Sequence, residues 1–103
     1  MLKITPNPKF DAAVDVPVPG QKKAEKLTVT FKYMNTTARD AFLKAMNDQP
    51  KIDALMGIIE GWQGVDVDFS RDALENLLTN YAGLDTLLFK AFFDEHHKAL
   101  LGN

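Results

Sequence analysis

Two stretches near the N-terminus alternate between apolar and polar residues, which is the period of a half-buried β-strand. The first stretch covers residues 10–18 and the second covers residues 27–33. Pro19 and Gly20 lie between the two stretches and predict a turn. We therefore expect a β-hairpin over residues 10–34. A lone hairpin is marginal in water, so its apolar face needs a cover from elsewhere in the chain.

Beyond the hairpin the apolar residues recur at helical spacing. A first helix is predicted to begin with Thr37 as its N-terminal cap, because Asp40 follows three residues later. A second helix is predicted to begin at Pro50, a residue suited to the first helical position. Its apolar residues recur as far as Ile59, and Gly61 is expected to stop it.

Two further helices are predicted in the C-terminal third of the chain. Ser70 is a suitable N-cap for the third helix, and Ala82-Gly83 is expected to end it. The last helix is predicted from about Leu84 to Leu101. The chain is therefore predicted to be α+β and mainly helical, with an N-terminal β-hairpin followed by four helices over residues 36–101. We expect one domain spanning residues 1–103.

Composition narrows the class of protein. Hydrophobic residues make up 46% of the 103 residues and charged residues 25%, which is ordinary for a globular domain. The net charge is −2, so nothing in the balance indicates a nucleic-acid-binding surface. There are no cysteines, and no apolar run approaches the ~20 residues that a membrane helix needs. We expect a cytoplasmic protein with no nucleic-acid or membrane partner.

Candidate metal ligands fail on spacing. His96 and His97 are adjacent, and neighbouring helical positions diverge, so one helix cannot direct both rings at one ion. The acidic run that starts at Asp66 resembles the beginning of a calcium loop. Arg71 and Leu77, however, stand where that loop needs glycine and glutamate. We predict no metal and no cofactor.

A catalytic group is also hard to find. Ser70 is the sole serine and is expected to act as a helix cap. The sequence contains no glycine-rich phosphate loop, so the chain is predicted not to be an enzyme. Trp62, the sole tryptophan, can be either an exposed anchor for a partner or a core aromatic, and we favour the core position.

The last helix carries two neighbouring apolar stripes, whereas a helix lying on a small domain normally needs one. The two stripes indicate either burial on both sides or an apolar patch that a partner covers. Both interpretations stay open. We hypothesise that the second stripe forms a protein-binding or self-association face. The first stripe contains Leu84, Leu87, Leu88, Ala91, Phe92 and Ala99, and the second contains Phe89, Phe93, His96 and Leu100.

Several short motifs stand out in the middle and C-terminal parts of the chain. They are Ile58-Ile59-Glu60-Gly61-Trp62-Gln63-Gly64-Val65-Asp66, then Phe69-Ser70, then Leu74-Glu75-Asn76-Leu77-Leu78-Thr79-Asn80-Tyr81. A "T-F-K-Y" strand, a Val-Pro-Gly turn and a closing helix accompany them. With these features the chain resembles tail assembly chaperones of long-tailed (siphovirus-type) bacteriophages or prophages, and the resemblance covers roughly Lys9 to Asn103.

This resemblance implies a non-catalytic role in virion morphogenesis. Such proteins bind the tape measure protein, keep it soluble and help recruit tail tube subunits. Two alternatives remain, a small structural tail or neck component of the virion and an unrelated cytoplasmic protein-interaction module. Self-association is possible as well. However, Pro17 and Pro19 cannot donate to a ladder, which argues against pairing at the edge near Val16 to Val18.

Overall fold

The computed structural model describes residues 1–98, which form a three-stranded antiparallel sheet and four helices. The α+β class and the N-terminal hairpin are confirmed. The sheet also has a third strand, which comes between the second and third helices in the sequence. In chain order the elements are β1 (Lys9–Val16), β2 (Glu25–Lys32), α1 (Thr36–Met46), α2 (Lys51–Met56), β3 (Ile59–Gln63), α3 (Arg71–Asn80) and α4 (Leu84–His96).

The hairpin follows its alternating pattern. Strands β1 and β2 pair without interruption from Lys9 opposite Lys32 to Val16 opposite Glu25. One face of the hairpin is apolar and packs against the helices, since successive side chains of a strand point to opposite faces. On this face Phe10 is half-buried, and the other apolar residues are buried: Ala12, Val14, Val16, Leu27, Val29 and Phe31. The other face is polar, and there the Thr30 hydroxyl lies 2.6 Å from an Asp11 carboxylate oxygen, to which it donates.

The prediction that the second helix continues to Ile59 is wrong. Helix α2 ends at Met56 with Gly57 as its C-cap, and the chain then enters β3. Strand β3 pairs with β2 through a bulge between Thr30 and Phe31. The helical pattern misled the prediction because β2 offers an open edge, and the ladder along that edge outweighs one more helical turn of β-branched isoleucine.

Glycine is required where the end of β3 crosses close to β2. Gly64 has a φ of 91°, and a Cβ placed there would lie 2.6 Å from the Lys26 carbonyl oxygen. Trp62, for which a core position was favoured, lies on β3 and packs against the edge of the core. It is half-buried, its indole N–H donates to the Val67 carbonyl at 2.9 Å, and its ring packs edge-on against Phe69.

The predicted start of the first helix is also displaced. Its N-cap is Asn35, whose side-chain oxygen accepts from the Ala38 N–H at 2.8 Å, and not Thr37. Asn35 has the extended backbone that a cap requires, whereas Thr37 is already helical. Pro50 is the N-cap of α2 and not its first helical residue as predicted, because the helix begins at Lys51.

The start of α3 and the break before α4 are confirmed. The Ser70 hydroxyl accepts from the Ala73 N–H at 3.0 Å, and Gly83 takes a left-handed φ of 84° before α4. Helix α4 ends at His96, earlier than the predicted Leu101, and residues 97 and 98 form a turn. Residues 99–103 lie outside the described part of the chain.

One apolar core joins the sheet to α2, α3 and α4. Phe31 of β2 and Phe92 of α4 meet edge-to-face in this core, with ring centroids 5.6 Å apart. The largest fully buried side chains are Phe31, Phe92, Leu55, Ile58, Leu74, Leu84, Leu88 and Val29.

Candidate protein-binding surface

The first apolar stripe of α4 faces the sheet and the core. Leu84, Leu88 and Phe92 are buried on this side of the helix. The Phe92 ring lies 5.6 Å from that of Phe31 and 6.5 Å from that of Phe10, measured between centroids. This side of α4 therefore attaches the helix to the sheet.

The second stripe faces α1 and is less completely covered. Phe89 and Phe93 are both half-buried. Phe42 of α1 packs over them, with its ring centroid 6.5 Å from that of Phe89 and 6.2 Å from that of Phe93. We name the three rings, Phe42, Phe89 and Phe93, the aromatic seam.

Helix α1 is held weakly over Phe89 and Phe93, the two rings that α4 contributes to the aromatic seam. Within Thr36–Met46 no residue is buried, and Phe42 is the side chain of this helix that packs against the core. Ala41 and Ala45, which recur with Phe42 at helical spacing, are exposed. Leu43, beside the seam residue Phe42, is a large apolar side chain that remains 45% exposed. The seam and Leu43 together present an apolar surface with a thin cover.

His96 has a different environment from the other members of its stripe. Its ring lies between Phe10 and Tyr33, with centroid distances of 5.1 Å and 5.5 Å. The Met34 N–H donates to Nε2 at 3.1 Å, so Nδ1 carries the hydrogen and donates to the Phe92 carbonyl at 2.8 Å. Burial lowers the pKa of His96 below its ordinary value, although the bond to Phe92 opposes this effect. A neutral ring therefore joins the end of α4 to the sheet.

The comparisons with known proteins give one match. A family model described as phage tail assembly chaperone matches residues 1–103, the whole chain. The chain belongs to the phage tail assembly chaperone family. Curated proteins gave no match, and neither did solved structures. The family is one of assembly chaperones and not of enzymes, and it implies protein partners in tail assembly.

For this chaperone, the structure separates the four residues of the predicted face. Phe89 and Phe93 come together in the aromatic seam, whereas His96 packs at the sheet. Leu100 lies outside the described residues. The sequence prediction did not include Phe42 or Leu43 in this face. Phe42 is the sole aromatic residue of α1, and this was the available signal for a residue that covers the rings of α4.

Among residues 1–98, no group of three or more His, Asp or Glu side chains is arranged to hold a metal ion. In that same part of the chain, no helix has both the length and the apolar character needed to cross a bilayer.

Proposed function

We propose that the chain binds the tape measure protein of its own phage, keeps that long apolar helical chain in solution, and helps recruit tail tube subunits. It would act in the host cytoplasm before the tail is complete. The family match over the whole chain supports an assembly role. One observation carries the choice of surface. Helix α1, which covers Phe89 and Phe93, has no buried residue within Thr36–Met46.

The proposed client segment is an amphipathic helix with apolar residues at i, i+3, i+4 and i+7. Such helices bind in apolar grooves between two helices of a partner. Helices α1 and α4 border the seam, and Leu43, the residue after Phe42 on α1, is exposed and available to a client that approaches this helix. Leu100 lies outside the described residues, and only its spacing from Phe93 in the sequence motivates its place in the hypothesis.

Opening the seam has a moderate cost. Complete burial of a phenylalanine contributes about 1.5–3 kcal/mol, and withdrawal of Phe42 also uncovers the rings on which it packs, so the cost before a client helix replaces these contacts is on the order of 2–4 kcal/mol. Two side-chain hydrogen bonds fix the start of α1, the Asn35 cap and a bond from Arg39 Nη1 to the Met34 carbonyl at 3.0 Å. These attachments lie at the N-terminal end of α1. The helix can therefore turn outward about that end while a client helix takes the place of Phe42.

The test is co-expression with the tape measure protein encoded by the same phage. We expect the client to be retained in the soluble fraction and to be recovered with the chaperone. Leu43→Asp should abolish recovery without loss of fold, because Leu43 is exposed. Phe93→Asp should abolish it as well. Val67→Asp is the matched control, since Val67 is 53% exposed, lies far along the chain in the β3–α3 loop, and gains the same charge.

Three outcomes would count against this function. If the wild-type chain neither binds the client nor increases its solubility, the proposed role is wrong. If Leu43→Asp and Val67→Asp behave alike, the surface lies elsewhere. If the protein is present in purified virions in stoichiometric amounts, it is a structural component of the tail or neck.

A further inference from the structure

The sheet has two outer edges, and they differ. Among residues 1–98, neither β1 nor β3 pairs with another strand on its outer side. Strand β3 has five residues and joins β2 through a bulge, a feature that protects an edge from further pairing. Strand β1 has eight residues in uninterrupted register, with no proline or bulge between Lys9 and Val16. Pro17 follows the strand and leaves this edge open.

The backbone groups that face outward from β1 follow from one hydrogen bond. The Tyr33 N–H donates to the Pro8 carbonyl at 2.9 Å, and the two residues are opposite each other in the β1–β2 register. In an antiparallel pair, alternate residues turn their N–H and C=O groups toward the partner strand. Even-numbered residues of β1 therefore bond to β2. The free groups belong to Lys9, Asp11, Ala13 and Asp15.

A second copy of β1 fits this edge in one register. When Ala12 lies opposite Ala12 of the second copy, Lys9 faces Asp15 and Asp11 faces Ala13, and all four free residues are paired. The two neighbouring registers keep outward-facing residues opposite each other. In one of them Asp11 lies opposite Asp11 of the second copy, and in the other it lies opposite Asp15. Both of these registers juxtapose carboxylates, which is unfavourable.

The same register suits the core-facing side of the strand. There it places Phe10 beside Val14 of the second copy and Ala12 beside its own copy. These residues already face the core within one chain, and Ala12 and Val14 are buried. The apolar faces of the two sheets would thus be continuous.

We propose that β1 pairs antiparallel with β1 of a second copy about a two-fold axis, which joins two three-stranded sheets into one. The pairing rests on the open edge and on the complementary charges of Lys9 and Asp15, and it does not rest on the proposed function. Each Lys9–Asp15 contact occurs twice in such a dimer because the axis relates the two copies.

Charge reversal with rescue tests this arrangement. Lys9 and Asp15 are six residues apart on one strand, roughly 20 Å, so they do not interact within one chain. Lys9→Asp and Asp15→Lys should each raise the dimer Kd about tenfold or more. The double variant should restore the wild-type Kd. Analytical ultracentrifugation over a range of concentrations measures the Kd against the 11.5 kDa mass of the chain.

Effects within one chain can be told apart from effects at the interface. Lys9 lies opposite Lys32, and Asp15 lies opposite Lys26. Within one chain, therefore, Lys9→Asp adds an attraction and Asp15→Lys adds a repulsion. If the variants acted only through the stability of the single chain, Lys9→Asp and Asp15→Lys would change the dimer Kd in different directions. If they act at the interface, both raise the dimer Kd.

A backbone variant gives a second measurement. Ala13→Pro removes an outward N–H and leaves the ladder with β2 intact, so it should also yield monomers that remain folded by circular dichroism. A wild-type chain that is monomeric at every concentration would overturn the proposal. So would a dimer that resists both single reversals, or a double variant that dimerises no better than they do.

Discussion

The two sides of α4 carry aromatic residues of the same kind but are covered differently. Phe92 on one side is fully buried between the sheet and the Phe42 ring of α1, whose centroid lies 5.8 Å from its own. Phe89 and Phe93 on the other side are half-buried, and Phe42 packs on them as well. The first side has the sheet and the core behind it. The second has a helix with no buried residue within Thr36–Met46. The comparison teaches that one helix can secure the fold with one face and leave the other under a lighter cover.

The largest expected effect separates the two sides by stability. Phe92→Ala should lower the free energy of unfolding by about 3–5 kcal/mol, because it leaves a cavity among buried rings. Phe89→Ala, the matched control on the other side, should cost about 1–2 kcal/mol. Urea unfolding measures both, and we expect the single transition of one domain over residues 1–103. Equal losses would show that the two sides are packed alike.

A smaller loss is expected when only α1, the helix over Phe89 and Phe93, is weakened. Asn35→Ala removes the N-cap of α1 and should destabilise that helix by about 1 kcal/mol. Hydrogen exchange should accelerate for amides of α1 and stay unchanged in α4. Asn47→Ala, at the other end of α1, is the control, because the backbone N–H of Asn47 makes the capping bond there. Equal acceleration in both helices would mean that α1 does not open separately.

A smaller effect is expected from His96, which joins α4 to the sheet. Its pKa in the folded protein is lowered by burial, whereas the unfolded value is about 6.5. Below that pH the unfolded chain binds the proton more readily, so stability falls as the pH decreases. Urea midpoints between about pH 7.5 and 5.5 should fall in wild type and in His97→Gln. His96→Gln should flatten the dependence, and an unchanged slope would assign the titration to another group.

The smallest effect belongs to the N-terminal end of α4. Lys51 Nζ lies 2.9 Å from an Asp85 carboxylate oxygen, and this contact lowers the pKa of Asp85. The Lys51 side chain is 73% exposed, so Lys51→Ala should cost about 0.5 kcal/mol or less. The pKa of Asp85, followed by NMR titration, should rise in the variant. A larger loss, or one insensitive to salt, would show that this pair contributes more than surface pairs do.

Local signals in the sequence predicted several elements well. The alternation over residues 10–18 and 27–33 identified both strands of the hairpin and their buried faces, although β1 already ends at Val16. Ser70 was identified as a cap and Gly83 as a break, because each acts through its own backbone and near neighbours. The short motifs from Ile58 to Tyr81 indicated the family that the whole-chain match confirms.

Strand β3 could not be predicted from the same kind of signal. Ile52, Leu55, Met56 and Ile59 have the spacing of one helical face, and this spacing says nothing about a neighbouring strand. Gly57 ends the helix, and the open edge of β2 then receives the chain, as the bond from the Lys32 N–H to the Ile58 carbonyl shows. That bond joins residues distant in sequence, so no local window contains it.

By itself, the sequence determined the class of fold, the buried face of each hairpin strand and the presence of two apolar stripes on the last helix. These properties depend on residues within a few positions of one another. The tertiary structure alone decided that Phe42 covers the second stripe, that His96 is held by Met34, and that the sheet ends in β3. Each of these is a contact between separate elements, and its energy depends on how the elements pack together.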